Sequence, residues 1–339
     1  MKLRRPRVRT VETAVWLAAC WATAASTGFV RAQRLPSDPA DDAVVARVDE
    51  QPISYAEVKR EIAAALKGRP IPPEALALVQ AQALEQVIGR RLLVARFQQL
   101  QMAPTPDELK RSEENLAEQC RRLNLSREEF LARNGMTAAD FEAFRYWEIA
   151  AERFAREQLT DEQLGRFFLD HRRDYDGTEL RVSHILLRVE GRQDQGGPEQ
   201  AIGKALRIRQ EILERKLSFA EAAAKYSDGP SREVGGDLGF IPRRGRMIES
   251  FSAAAFRLKS GEISPPVATP FGIHLITVTE EKRGELTLAD VREPVHAAAK
   301  QVMFLALAAE LRKGAKIEYS GLLPHIDAAT GRIVPPEAK

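Results

Sequence analysis

Two histidines lie in short apolar runs that a glycine-rich segment separates. His184 lies within Val182–Leu187, and His274 lies within Pro270–Ile276. Runs of β-branched and apolar residues with this length are typical of buried strands. The segment between them, Tyr226–Phe240, contains adjacent glycines, which permit tight backbone geometry that other residues avoid. The pattern therefore predicts two strands joined through an irregular, tightly turning segment.

The surrounding residues predict helices mixed with strands. Helical periodicity extends over Pro198–Lys216, and Phe251–Leu258 predicts a shorter helix. Ser218 begins another helix with a capping pattern, and Leu238–Ile241 is a short strand. This mixed order predicts an α+β fold in which helices wrap a small antiparallel sheet.

In order and spacing, these segments resemble the parvulin family of peptidyl-prolyl cis/trans isomerases. The resemblance covers residues 178–283. It implies that His184 and His274 lie side by side on neighbouring strands, as a hydrogen-bonded pair that fixes the shape and tautomers of the site. It also implies an apolar pocket for the proline ring. The residues at the substrate-binding positions are Leu238, Met247, Phe251 and Phe271.

One position departs from the parvulin pattern. The family usually places Cys or Asp just after a Tyr-Ser or Phe-Ser pair, facing the reacting amide. Counting back from Gly236 without gaps puts Gly229 in this slot, whereas one residue of slack puts Asp228 there. We take Asp228 as the third catalytic residue beside His184 and His274. With Gly229 in the slot, the polar group would be missing and activity could be reduced.

The chemistry that the resemblance implies breaks no covalent bond, so no nucleophile, cofactor or metal is expected. The barrier is amide resonance, about 18–20 kcal/mol for peptide bonds, and each ~1.4 kcal/mol removed gives a tenfold faster rate. No cluster of Cys and His has metal-ligand spacing. The loop Glu190–Gln195 is mixed in sign, so a preference for phosphorylated substrates is not expected.

The N-terminus predicts a secretory signal peptide over residues 1–32, with cleavage after Ala32. A basic start precedes a short apolar run, Val15–Ala25. A retained membrane anchor is one alternative, and a lipidated Cys20 is another. Residues 1–32 carry six basic side chains and one acidic side chain, so the chain changes from +3 to −2 on cleavage. The mature charge gives no support for nucleic-acid binding, and Cys120 alone cannot form an internal disulfide.

The remaining residues predict a helical domain that both ends of the chain build. Residues 33–42 read as a linker, and 43–173 as a strand followed by helices with repeated capping patterns. Residues 284–320 read as a helix and a strand, and 321–339 as a loose tail. A strand near each end of the mature chain could pair, with the isomerase-like domain inserted between them. This outline resembles the bacterial SurA- and PrsA-type foldases.

The two resemblances imply a foldase, a prolyl isomerase and chaperone for exported proteins, most consistent with the periplasm. Its partners would be unfolded or nascent polypeptides that contain Xaa-Pro bonds. Two alternatives stay open. The parvulin-like domain could be catalytically idle in a chaperone that only binds its clients, or the chain could be a membrane-anchored or lipidated export factor.

Overall fold

The computed structural model describes residues 38–66, 75–189 and 197–337. The predicted signal peptide, Cys20, the first half of the predicted linker and the loop Glu190–Gln195 lie outside these ranges. The described residues divide into two compact units. One comprises Asp161–Ala299, called the isomerase-like unit below. The other comprises the described residues up to Thr160 together with those from Lys300, called the helical unit.

The described residues form the following helices and strands. The helices are α1 (Tyr55–Leu66), α2 (Leu76–Gln99), α3 (Pro106–Leu123), α4 (Arg127–Arg133), α5 (Ala138–Gln158), α6 (Asp161–Asp170), α7 (Arg172–Tyr175), α8 (Gly197–Leu213), α9 (Phe219–Tyr226), α10 (Glu249–Arg257) and α11 (Arg292–Arg312). The strands are β1 (Val44–Val48), β2 (Gln51–Ser54), β3 (Glu179–Leu187), β4 (Asp237–Pro242), β5 (Val267–Thr269), β6 (Gly272–Lys282), β7 (Ile317–Tyr319), β8 (His325–Ile326) and β9 (Ile333–Val334). No helix within the described ranges is both long and apolar enough to cross a membrane.

Local capping signals set the helix starts of the helical unit. In α3 the Thr105 hydroxyl accepts from the Glu108 N–H, and the Glu108 carboxylate accepts from the Thr105 N–H. Ser126 and Glu129 form the same reciprocal pair at the start of α4. These bonds satisfy N–H groups that have no partner inside the helix. The helix starts predicted at Thr105 and Ser126 are therefore confirmed.

The two ends of the described chain meet in one three-stranded sheet. β1 lies between β2 and β7 and is antiparallel to both strands. Ala46 faces Tyr319 and Val48 faces Ile317, so the predicted pairing of an early strand with a late one is confirmed. Below the sheet, buried apolar residues of β1, β2, α1 and α2 form one core cluster, which includes Leu84.

A polar clamp joins three elements of this unit. The Tyr319 hydroxyl of β7 donates to Glu85 Oε1 of α2 at 3.0 Å and accepts from Arg312 Nη2 of α11 at 2.5 Å. Arg312 also pairs directly with Glu85. Burial, followed by the Glu85 charge, raises the pKa of Tyr319 to about 12, so the phenol stays protonated and keeps its donor. The His325 ring stacks on the Tyr319 ring at 3.8 Å.

The C-terminal residues are not the loose tail that the sequence predicts. Leu323 is 3% exposed and belongs to the core cluster of β1 and α2. β8 and β9 then pair as a two-stranded antiparallel sheet, and both strands contact α2. The expectation for 321–339 is corrected, because an apolar side chain here fills space in a core whose other members are distant in sequence.

In the isomerase-like unit, one four-stranded sheet separates two apolar layers. The strand order is β4-β3-β6-β5, with antiparallel neighbours. α10 packs on one face, in a cluster with Leu180, Val182 and Ile276. α8 and α9 pack on the other face, in a cluster with Ile185 and Leu275. This arrangement is the predicted α+β fold, a small antiparallel sheet wrapped by helices.

The division between units differs from the predicted domain boundaries. Residues up to 173 and residues 284–320 were predicted to belong to the helical domain, whereas α6, α7 and residues 284–299 belong to the isomerase-like unit. Arg173 of α7 donates to the carbonyls of Phe256 and Leu258. Asp174 accepts from Arg243 at 2.6 Å. Neither contact is visible in the sequence, because the partners lie about seventy or more residues away.

We expect Leu323→Ala to destabilise the helical unit by about 2–5 kcal/mol, because truncation of a buried leucine leaves a cavity. Urea unfolding followed by Trp147 fluorescence checks this, since Trp147 packs in the same unit. Leu123→Ala is the matched control, because Leu123 is 52% exposed. Equal unfolding midpoints for the two variants would show that the C-terminal segment is not part of the core.

Candidate isomerase site

The two histidines meet on one face of the sheet. β3 and β6 are antiparallel, with Leu186 opposite His274 and His184 opposite Ile276. The histidines therefore occupy diagonal positions on adjacent strands, a spacing within reach of ring side chains. Their Nδ1 atoms are 3.1 Å apart and the ring planes are 24° apart. Both side chains are buried. The structure thus brings together the pair that the resemblance implies.

A chain of four side chains runs through this pair. Ser231 Oγ lies 3.0 Å from His184 Nε2, and Thr269 Oγ1 lies 2.8 Å from His274 Nε2. One proton between the two Nδ1 atoms suffices for their bond, and a second would repel it. At least one of the two rings is therefore neutral in this geometry.

Thr269, the outer partner of His274, favours one arrangement of protons along the four hydrogen-bonded side chains. The Thr269 hydroxyl contacts the Gly272 carbonyl at 3.2 Å and accepts from the Phe271 N–H at 3.1 Å. If Thr269 donates its single proton to Gly272, it accepts from His274 Nε2–H. His184 then donates from Nδ1, and Ser231 donates to His184 Nε2. The hydroxyls at the two ends thus select the tautomers.

Burial holds both imidazoles in the neutral form. It lowers the pKa of His184. For His274, burial and then the nearby His184 lower the pKa to about 4. Low-dielectric surroundings disfavour the imidazolium, and a second cation beside it would add repulsion. The pair is therefore uncharged at neutral pH, in agreement with the hydrogen-bond pattern.

An apolar wall lies against the two rings. Phe251 of α10 meets His184 edge-on at 5.8 Å and His274 at 5.4 Å between centroids. Leu238 of β4 and Met247 are partly buried and pack in the same cluster. These three predicted pocket residues thus share one apolar cluster, with Phe251 against the histidine pair. Such edge-to-face contacts of aromatic rings are favourable beyond their area of burial.

Phe271, the fourth predicted pocket residue, is not part of this cluster. It lies in the two-residue turn between β5 and β6 and is 65% exposed. Its N–H donates to Thr269, the partner of His274, so the backbone of the turn is fixed relative to the pair. The structure therefore places Phe271 on the solvent side of the hairpin turn.

Gly229, and not Asp228, lies beside the histidine pair. A Cβ placed on Gly229 would lie 3.3 Å from His184 Nε2, and Gly229 is buried. Asp228 is exposed, and its carboxylate accepts from the Arg188 N–H at 2.9 Å. The prediction that Asp228 faces the site is corrected: its backbone N–H binds the Leu186 carbonyl, which directs the side chain to the end of β3.

The glycine before Asp237 is required by close contact with β3. Gly236 has φ +85°, and a Cβ there would lie 2.4 Å from the His184 carbonyl oxygen. The Gly236 carbonyl accepts the His184 N–H at 2.9 Å. Only glycine combines this left-handed backbone with so close an approach. The glycine-rich segment thus fixes the strand that carries His184.

The serine and threonine side chains of the site were not predicted from the sequence. Ser231 and Thr269 bind the outer nitrogens of the pair, and Ser227 accepts the N–H groups of Leu186 and Gly229. Ser227 stands in the Tyr-Ser pair of the motif, and Thr269 lies five residues before His274. Ser231 has no such signal. Within the described ranges, no group of three His, Cys, Asp or Glu is arranged to hold a metal ion.

Residues 184–280 match the PPIC-type PPIase domain, a peptidyl-prolyl isomerase domain, and residues 5–155 match the SurA-like N-terminal domain. The chain therefore contains a PPIC-type isomerase domain, which carries the histidine pair and Phe251, together with a SurA-like N-terminal region. The recognition of a parvulin-type domain in a SurA- and PrsA-like chain is confirmed.

Individual relatives bear both foldase names. Foldase protein PrsA of Bacillus subtilis is 47% identical over 104 residues, which is 31% of each chain. Chaperone SurA of Cupriavidus metallidurans is 33% identical over 148 residues, covering 42% of this chain and 28% of the relative. The alignments thus span about a third of the curated relatives. The crystal structure of PrsA from Bacillus anthracis matches 68% of this chain and 96% of its own, at 22% identity and a TM-score of 0.38.

We expect His274 to stay neutral until the pH approaches 4 in the folded protein, whereas an unfolded histidine titrates near about 6.5. The unfolded state then binds more protons between these values. Stability is therefore full above about pH 6.5 and falls as the pH drops towards 4, by about 3 kcal/mol from His274. NMR titration of the imidazole nitrogens, folded and in urea, measures this. Identical midpoints in the two states would contradict a buried neutral pair.

We expect Gly236→Ala to destabilise β3 by about 1–3 kcal/mol more than Gly239→Ala, the magnitude typical of overpacking. Both glycines have positive φ, so both variants carry backbone strain. No heavy atom lies within 4 Å of a Cβ at Gly239, however, so only Gly236→Ala adds a clash. Hydrogen exchange of the β3 amides measures the difference, and equal protection in the two variants would remove the role assigned to Gly236.

Proposed function

We propose that the protein is a peptidyl-prolyl cis/trans isomerase and chaperone, a foldase for exported proteins. One observation carries the proposal. A neutral, buried histidine pair lies against Phe251, in an apolar cluster with Leu238 and Met247. The matched PPIC-type domain and the relatives named foldase or chaperone support the same activity.

The site meets the requirements of amide rotation. The planar amide is the more charge-separated form, and water stabilises it. A pocket that excludes water from the carbonyl therefore lowers the barrier, and each ~1.4 kcal/mol gives a tenfold rate. Phe251, Leu238 and Met247 provide the apolar surface for the pyrrolidine ring. His184 and His274, being neutral, fix the pocket's shape without a charge that would hold water. Amide rotation requires no proton exchange between the histidines and the substrate.

The helical unit is proposed to hold unfolded client segments. Its surface exposes large apolar side chains, among them Leu123 at 52% and Phe144 at 36%. Apolar groups at a surface bind apolar segments of unfolded chains, since the contact removes both from water. The isomerase-like domain is proposed to be an insertion in a chaperone module built from the described residues up to Thr160 and those from Lys300. The clients are proposed to be exported polypeptides with Xaa-Pro bonds.

The proposed location is the periplasm. Its basis is the N-terminal pattern, which favours a signal peptide cleaved after Ala32. Mass spectrometry of the mature N-terminus distinguishes three outcomes. Gln33 at the start indicates a released protein, a modified Cys20 indicates a lipoprotein, and an intact N-terminus indicates a retained anchor.

A second candidate function is a chaperone without isomerase activity, and Gly229 favours it. Parvulins usually carry a Cys or Asp at this position beside the histidine pair, and here no side chain reaches from it. Suppression of client aggregation by the intact protein, without acceleration of any Xaa-Pro peptide, would select this candidate.

We expect His274→Ala and Met247→Ala to lower kcat/KM for isomerisation of Xaa-Pro tetrapeptides by at least about tenfold, which corresponds to ~1.4 kcal/mol of transition-state stabilisation. Exchange NMR measures the rate without a coupling protease. Leu213→Ala is the matched control, because Leu213 is 50% exposed at the end of α8. Unchanged activity in both site variants would reject the site assignment.

A further inference from the structure

Arg246 holds an unusual position beside the proposed proline pocket. Its guanidinium donates to the Leu238 carbonyl at 3.1 Å and to the Phe240 carbonyl. β4 is an edge strand, and β3 pairs with only one of its two sides. The two carbonyls lie on the other side of β4, which has no neighbouring strand. Arg246 itself is exposed. The side chain therefore lies along the strand edge and faces water.

This guanidinium is next to two residues of the pocket. It bonds the backbone of Leu238, and it directly precedes Met247 in the chain. Both residues pack in the cluster that contains Phe251. A residue that flanks a proline bound against this cluster would thus pass close to the Arg246 side chain.

The charge of Arg246 is not balanced by the carboxylates around it. Arg243, in the same segment, pairs with Asp174 and Glu249. Asp237, the nearest acidic residue along β4, pairs with Arg181 and accepts the Gly239 N–H. Among the residues that the structure describes, Arg246 has no carboxylate within ion-pair distance, and its two bonds go to neutral carbonyls.

We propose that Arg246 makes the site selective for client segments in which an acidic residue flanks the proline. This inference rests on the proposed isomerase function. A fixed, exposed guanidinium attracts a carboxylate with modest strength, and its planar fork keeps donors available for two more oxygens. An exposed ion pair of this kind corresponds to about a two- to fivefold preference over a neutral isostere.

The test compares six peptides of the form Ala-Xaa-Pro-Yaa, with Glu, Gln or Lys placed before or after the proline. Exchange NMR with the full chain gives kcat/KM for each peptide. We expect the Glu/Gln ratio to reach about two to five at one of the two positions, and Lys to be disfavoured there. Raising the salt concentration to about 1 M, where the screening length is near 3 Å, should bring the ratio close to one.

Three variants separate charge from architecture. Arg246→Gln should bring the Glu/Gln ratio close to one. Arg246→Lys keeps the charge and should retain at least half of the preference. Arg207→Gln is the control: Arg207 is exposed on α8, which packs on the opposite face of the sheet, and the ratio should stay at its original value.

The outcomes distinguish this inference from the function on which it rests. No acceleration of any peptide rejects the isomerase function. Acceleration with a Glu/Gln ratio of one at both positions rejects the role of Arg246 and leaves the function standing. A preference that survives in Arg246→Gln, or that Arg246→Lys loses completely, likewise overturns the charge-based role.

Discussion

The candidate site depends on one hydrogen bond, between Nδ1 of His184 and Nδ1 of His274. The bond needs a single proton between the two nitrogens, so at least one of the two rings must be neutral. Burial keeps both rings neutral, because it lowers both pKa values. The antiparallel register of β3 and β6 supplies the other condition, since it brings the rings to diagonal positions on one face. The neutral charge of the rings, their burial and the strand register therefore act together to maintain this hydrogen bond.

The surroundings of the pair maintain this constraint from both ends. The hydroxyls of Ser231 and Thr269 bind the outer nitrogens and select the tautomers. Gly236 allows the backbone to lie against His184, where any side chain would collide. Gly229 leaves the neighbouring position without a side chain, so the polar contact at His184 Nε2 comes from Ser231. This site thus differs from the usual parvulin pattern, while the histidine pair keeps its bonding.

The helical unit depends on contacts between the two ends of the chain. β7 completes the sheet of β1 and β2, and Leu323 fills their core. The clamp of Glu85, Arg312 and Tyr319 joins α2, α11 and β7 through charge-assisted hydrogen bonds, which are stronger than neutral ones. Removal of the C-terminal segment would expose apolar surface on β1 and α2. The N-terminal helices therefore do not make a complete core without it.

The features that could be predicted from the sequence are those that depend on residues close to one another in the chain. Capping pairs such as Thr105 with Glu108 lie three residues apart, and the apolar alternation around His184 and His274 is local to each strand, so helix starts, strands and the α+β class were predictable. The order of motifs also indicated the histidine pair. Tertiary structure alone decided three other features. Gly229 rather than Asp228 lies beside the histidine pair, Ser231 contacts His184, and the last residues pack in a core. Each depends on a partner that is distant in sequence, and only the folded sheet brings such partners within hydrogen-bond or van der Waals distance.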